Sequence, residues 1–184
     1  NLADNIIDGV PSAGATIITS HSEADIVAGL ATSGYAIPAS IQTDYTITLD
    51  ASGGPTINGT SVMWDDTGPM QALQNNTKYL INGEVVEFTV ENTSGSIDHP
   101  WHPHGFSFQP IRIELNEGDD TYKILYEWDF IEYMDVFNIP SKHRLTYRFR
   151  VEDRQYVNSD SCYSLYSGGV YGRWLNHCHI FKHA

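Results

Sequence analysis

The chain has 184 residues, an apolar fraction of 41% and a formal net charge of -13, from 23 acidic against 10 basic residues. That length and apolar content suit one core of ordinary size and exclude a disordered or fibrous chain. The acidic balance argues against nucleic acid or an anionic membrane surface as partner, and no apolar run approaches the roughly 18 residues of a membrane span.

The chain opens with Asn1, Leu2, Ala3 and Asp4, a start too polar for a signal peptide. Residues 1–40 are rich in Ala, Ser, Gly, Ile and Asp without a period of 2 or 3.6, which predicts a linker or arm carrying one short helix over 23–30. Residues 41–184 read as one β domain. Residues 45–50 alternate as a strand does, Gly53, Gly54 and Pro55 break the pattern, and 56–60 reads as a short strand entering a turn. Residues 79–81 and 84–91 are predicted strands, the second with Val86, Phe88 and Val90 on one face.

After a histidine-rich string, residues 106–108 and 111–115 are predicted to form a strand, 116–120 a turn and 121–126 its hairpin partner. Residues 134–139 and 144–151 add two more strands, the latter alternating clearly. Short strands about ten residues apart with turn residues between them predict an all-β sandwich. Residues 152–172, rich in Ser, Tyr and Gly and carrying Cys162, are predicted to be a surface loop, either a lid or a variable insertion.

Six of the eight histidines and one of the two cysteines fall in two strings: Asp98, His99, Pro100, Trp101, His102, Pro103, His104, Gly105, and His177, Cys178, His179, Ile180, Phe181, Lys182, His183. If 177–179 is a strand, His177 and His179 face one way and Cys178 the other. In the first string His102 and His104 share a face and His99 falls on the opposite one. His99 would then join Cys178, while His102 and His104 join His177 and His179. A turn after Ile180 could bring His183 to the cysteine side. Two imidazoles and a thiolate suit a blue-copper site, and thiolate softness selects copper. The competing metal is zinc, held by a few of these groups in a tetrahedron, but seven ligand candidates exceed what one zinc uses.

The remaining candidates weigh towards structure. His21 and His143 are isolated and read as surface or packing residues. Asp98 could fix the His99 imidazole or dock a cationic or phenolic donor, though an Asp before a His-Pro turn is more often a turn residue. Trp101 reads as packing, and Cys162 as a free or interchain thiol. Asn58, Asn75 and Asn92 begin Asn-x-Ser/Thr sequons, which carry glycans only in a eukaryotic secreted protein.

The strings at 99–105 and 177–183 resemble the last two copper motifs of the multicopper oxidases, the laccase-like family, as they occur in its C-terminal cupredoxin domain. The likeness includes Ile81 to Val86 and Gly172, Arg173, Trp174, and so spans roughly residues 42–183. It implies a cupredoxin-like Greek-key β-sandwich behind an irregular N-terminal arm, belonging to a larger oxidase and cut short at its end.

It implies further that His99, Cys178 and His183 bind the type 1 copper that takes electrons from a small donor, a phenol or a metal ion. His102 would bind the type 2 copper, and His104, His177 and His179 the type 3 pair where dioxygen becomes water. Pro103 stands where the family usually has Leu, removing a backbone donor, and the axial position five residues after the last histidine falls beyond Ala184. The family's trinuclear site uses eight histidines, of which this chain offers four, so an N-terminal cupredoxin domain or partner chain is expected to supply four more. An extracellular or periplasmic location is implied by the same resemblance. The alternative is a copper-binding or electron-transfer module with no oxidase activity of its own.

Overall fold

In the structure, a computed structural model, residues 15–32, 34, 37, 38, 40–51, 56–60, 76–151, 156, 157, 165, 166 and 176–178 are described. Their chemistry makes strands almost throughout. β-Branched and aromatic residues alternate with polar ones in β2 (Thr46–Asp50), β4 (Val85–Asn92) and β9 (His143–Arg150), so that each strand has one apolar face. In β4 Val86, Phe88 and Val90 are buried as alternation predicts, with Val85 and Asn92 buried besides, and the three sit opposite Phe149, Tyr147 and Leu145 of β9. Phe88 stacks on Tyr147 at 5.6 Å and on Tyr45 at 4.9 Å between ring centres, inside the range where offset aromatic pairs attract.

On the outer face of the same strands the alternation places charge against charge. Arg148 of β9 lies opposite Glu87 of β4 and pairs with it at 2.6 Å. β6 (Gln109–Gly118) continues the sheet beyond β9, and its Glu114, 5% exposed, accepts hydrogen bonds from Arg144 at 2.8 and 3.0 Å and from Arg112 at 3.1 Å. Those guanidinium groups, Arg144 foremost, hold the Glu114 carboxyl below its ordinary range. β7 (Thr121–Glu127) closes a hairpin on β6 through Asp119 and Asp120 at φ 50° and 56°. Positive φ at both central residues is the primed turn that suits strand twist.

Three strand readings shift. Residues 79–81 form no strand: Tyr79 instead offers its carbonyl to the Tyr45 hydroxyl at 2.8 Å, and Gly83 at φ 92° turns the chain into β4. Residues 106–108 lie before β6, with only Phe108 bridging, to Met134. β8 (Phe137–Ile139) is shorter than the predicted 134–139.

The first 40 residues contribute β1 (Ile17–Ile18), which pairs in parallel with Val85 and Val86 of β4, and α1 (Glu23–Thr32). Ser22 caps that helix by accepting the Asp25 amide at 3.1 Å. His21 ties this segment to the sheet through Glu84, 2.8 Å away. β2 takes the next stretch of the β4 edge, and β3 (Thr56–Ile57) pairs outside β2. Within residues 152–172, β10 (Tyr156–Val157) and β11 (Leu165–Tyr166) pair antiparallel.

Among the described residues the layers are a seven-stranded sheet, with β3-β2-β4-β9-β6-β7 in order and β1 beside β4, and a three-stranded sheet, β12-β5-β8. β5 is His99–Pro103 and β12 is Asn176–Cys178. Trp101, Phe106, Phe108 and Ile139 pack against Tyr45, Phe88, Leu145 and Tyr147 in one core. The Trp101 indole donates to the Tyr147 hydroxyl at 3.2 Å, joining the two layers by a polar contact inside the core. Trp101, with no exposed surface, is a packing residue. The protein is an all-β, cupredoxin-like sandwich.

Candidate metal centre

The three-stranded sheet brings the two histidine strings together. β12 runs antiparallel to β5 with Asn176, His177 and Cys178 opposite Pro103, His102 and Trp101. β5 alternates strictly in burial: His99, Trp101 and Pro103 face the core, Pro100 and His102 face outward. Cys178 faces the core with Trp101, and His177 faces outward with His102. One pair of strands thus presents donors on both of its faces.

On the buried face the His99 Nδ1 lies 3.3 Å from the Cys178 sulfur, with the two residues 2% and 4% exposed. A thiolate and an imidazole sharing one tetrahedral ion sit roughly 3.5 Å apart, given bond lengths near 2.3 and 2.0 Å. The register that fixes His99 is its pairing with Ile139 of β8.

On the outward face three imidazoles gather. His102 and His104 ring centres are 4.5 Å apart, His104 and His177 5.0 Å, and His102 and His177 5.7 Å. His104 lies just past the end of β5, where Gly105 at φ 86° lets the chain turn without the steric cost that a side chain would bring. His102 Nδ1 is 2.6 Å from the Asp135 carbonyl, and His177 Nδ1 is 3.1 Å from the Cys178 carbonyl. A carbonyl only accepts, so each Nδ1 carries a hydrogen and the lone pair of the neutral ring sits on Nε2. The two Nε2 atoms of His104 and His177 approach to 2.9 Å. Carbonyl partners of this kind fix the ring orientation of metal-binding histidines, and that of Asp135 has no sequence signature, since any residue supplies a carbonyl.

The described portion holds two candidate donors on the buried face and three on the outward face, and among the described residues no group of three or more converges as the ligands of one ion do. His179 and His183, as well as Cys162, Asn75 and the stretch 172–174, lie outside the described residues. Asp98 is a turn anchor: its carboxylate accepts the Ser141 amide at 3.0 Å and the Asn138 amide group at 3.3 Å. His143 packs beside the same turn, with Nδ1 2.7 Å from the Ser141 carbonyl. Asn92, read in the sequence as a sequon, has no exposed surface. The folded chain therefore offers no glycan acceptor at that residue.

A family model described as multicopper oxidase matches residues 37–184. The chain belongs to the multicopper oxidase family. Solved structures that it resembles are a metallo-oxidase of this family from Campylobacter jejuni (20% identity, TM-score 0.46, covering 80% of this chain and 29% of that one) and the laccase of Botrytis aclada (17%, 0.47, covering 100% and 29%). A third is the McoA multicopper oxidase of Aquifex aeolicus (25%, 0.45, covering 80% and 28%). The chain thus spans less than a third of the length of each. A comparison with curated proteins gave no match. The donors fit what the family name asks for: soft sulfur beside imidazole on one face and imidazole alone on the other are both copper-binding chemistries. No helix among the described residues is long and apolar enough to cross a membrane.

Proposed function

We propose that this chain is the C-terminal cupredoxin domain of a multicopper oxidase, which oxidises a small donor, a phenol or a metal ion, one electron at a time. The observation that carries the reading is the division of donors across β5 and β12: His99 and Cys178 inside, His102, His104 and His177 outside. His99, Cys178 and His183 would hold the type 1 copper; His102 would hold type 2, and His104, His177 and His179 a share of the type 3 pair. Bound copper supplies one-electron chemistry at the thiolate site and four-electron reduction of dioxygen to water at the cluster.

The chain's own contribution is placement. The core excludes water from the Cys178 sulfur and holds His99 against it, which would keep reorganisation small at a bound copper. Cys178 is bonded directly to His177, and the His177 Nδ1–H donates to the Cys178 carbonyl. With copper held at the sulfur, these would offer a covalent route and a hydrogen-bonded short cut from Cys178 to the outward imidazoles. Carbonyls at Asp135 and Cys178 keep Nε2 of His102 and His177 as the ligating nitrogens.

His102, His104, His177 and His179 would be half of the family's trinuclear set, so an N-terminal cupredoxin domain or partner chain would supply four more, and the assembly would work outside the cell or in the periplasm. Addition of Cu(II) to the chain should give an intense thiolate-to-copper band that Cys178→Ser abolishes. Mixing with a partner carrying two His-x-His pairs should then give oxygen consumption. A band without oxygen consumption would favour an electron-transfer or copper-holding module. Absence of any thiolate band would refute the type 1 assignment.

A further inference from the structure

We propose that Asn92 is a positioning residue for His99, whose carboxamide clamps the loop entering β5 to the strand that His99 pairs with. The inference rests on reading His99 and Cys178 as copper ligands. Asn92 ends β4 on its core face, in line with Val86, Phe88 and Val90, and has no exposed surface. An amide at such a position is costly unless its hydrogen bonds are made. Here all are: Nδ2 donates to the Ile97 carbonyl at 2.8 Å and to the Ile139 carbonyl at 3.0 Å. Oδ1 accepts the Ser94 amide at 3.0 Å and lies within reach of the Ser94 hydroxyl.

The two carbonyls are informative. Ile97 lies two residues before His99, and Ile139 is the register partner of His99 across β5 and β8. A single carboxamide therefore grips the chain on both sides of the ligand. Neighbouring bonds tie the same two segments: the Ser141 hydroxyl donates to the Ser94 carbonyl at 2.6 Å, and the Ser141 amide to Asp98 at 3.0 Å. The Ser94 hydroxyl, 2.7 Å from the Ile97 carbonyl, has one hydrogen to share between that oxygen and Asn92. Bonds of fixed direction specify one arrangement where apolar packing would tolerate several. The position of His99 is thereby set from the β4 end of the sandwich, and β12 brings Cys178 to 3.3 Å from it.

The test uses the full chain and three substitutions. Asn92→Ser removes the clamp. Ser141→Ala removes one tie at a half-buried turn and leaves the core intact. Thr93→Ala removes a bond of the same loop that points away from His99, to the Leu49 carbonyl at 3.1 Å. Without metal, amide exchange in β5 relative to β9 should quicken about tenfold in Asn92→Ser and severalfold in Ser141→Ala. With Cu(II), both should shift and broaden the thiolate band. Thr93→Ala should lower the denaturation midpoint while leaving both readouts unmoved, as a merely structural bond would.

Unchanged β5 exchange and an unchanged band in Ser141→Ala would overturn the proposal, even if Asn92→Ser failed to fold. If the unsubstituted chain gives no thiolate band, the copper reading falls, and β5 exchange alone decides whether Asn92 positions His99.

Discussion

The seven-stranded and three-stranded sheets share one core but are held by different forces. In the large sheet β4 and β9 stay in register from Val85 opposite Arg150 to Glu91 opposite Arg144, with stacked aromatics on one face and ion pairs on the other. In the small sheet β5 meets β12 and β8 over three residues each among the described residues. Its inward positions are given to His99 and Cys178 beside Trp101, and its entry is fixed by side-chain hydrogen bonds from Asn92 and Asp98. Ladder and packing thus supply stability in one layer. In the other, the strands carry groups chosen for their chemistry, and polar clamps add to the ladder.

That contrast is broken most severely from the large sheet. Phe88→Ala should cost about 3 to 5 kcal/mol, because it opens a cavity among Tyr45, Tyr147 and Phe149. Urea denaturation would report it as a lower midpoint, and an unchanged midpoint would show that the stacked face carries little.

Next comes Glu114→Gln, expected to cost about 2 kcal/mol at neutral pH by weakening bonds from Arg144 and Arg112. The sign of its pH dependence follows from a carboxyl whose folded pKa is lowered. Its contribution is present above the ordinary carboxylate pKa and fades as pH falls through the folded value. The unsubstituted chain should therefore lose stability over that acid range more steeply than Glu114→Gln does; parallel profiles would deny Glu114 this role.

The smallest effect on stability belongs to the small sheet's rim. His104→Ala should move the midpoint by under about 0.5 kcal/mol, since His104 is exposed. It should nonetheless change the imidazole NMR signals of His177, whose Nε2 it meets at 2.9 Å. A large stability loss would mean that the outward histidines brace the fold as well as present donors.

Period-2 alternation made much of this legible in advance. It places Val86, Phe88 and Val90 on one face, and it separates His99 from His102 and Cys178 from His177. Three features lay beyond it. β1 is too short to show a period, and its place is decided by the open edge of β4. Asn92 resembled a surface sequon because its burial depends on Ile139, 47 residues away. The Asp135 carbonyl that orients His102 belongs to backbone, which carries no residue code. Local pattern reports which way a side chain points; long-range closure decides what it meets.

That closure has a consequence in time. His99 and Cys178 stand 79 residues apart in the chain. At about 5 to 20 residues per second, roughly 4 to 16 s separate their emergence from a ribosome. Every strand of the seven-stranded sheet lies between Ile17 and Arg150 and is synthesised before Cys178. The thiol therefore arrives after the whole of that sheet, at a scaffold whose His99 has had time to be set in place.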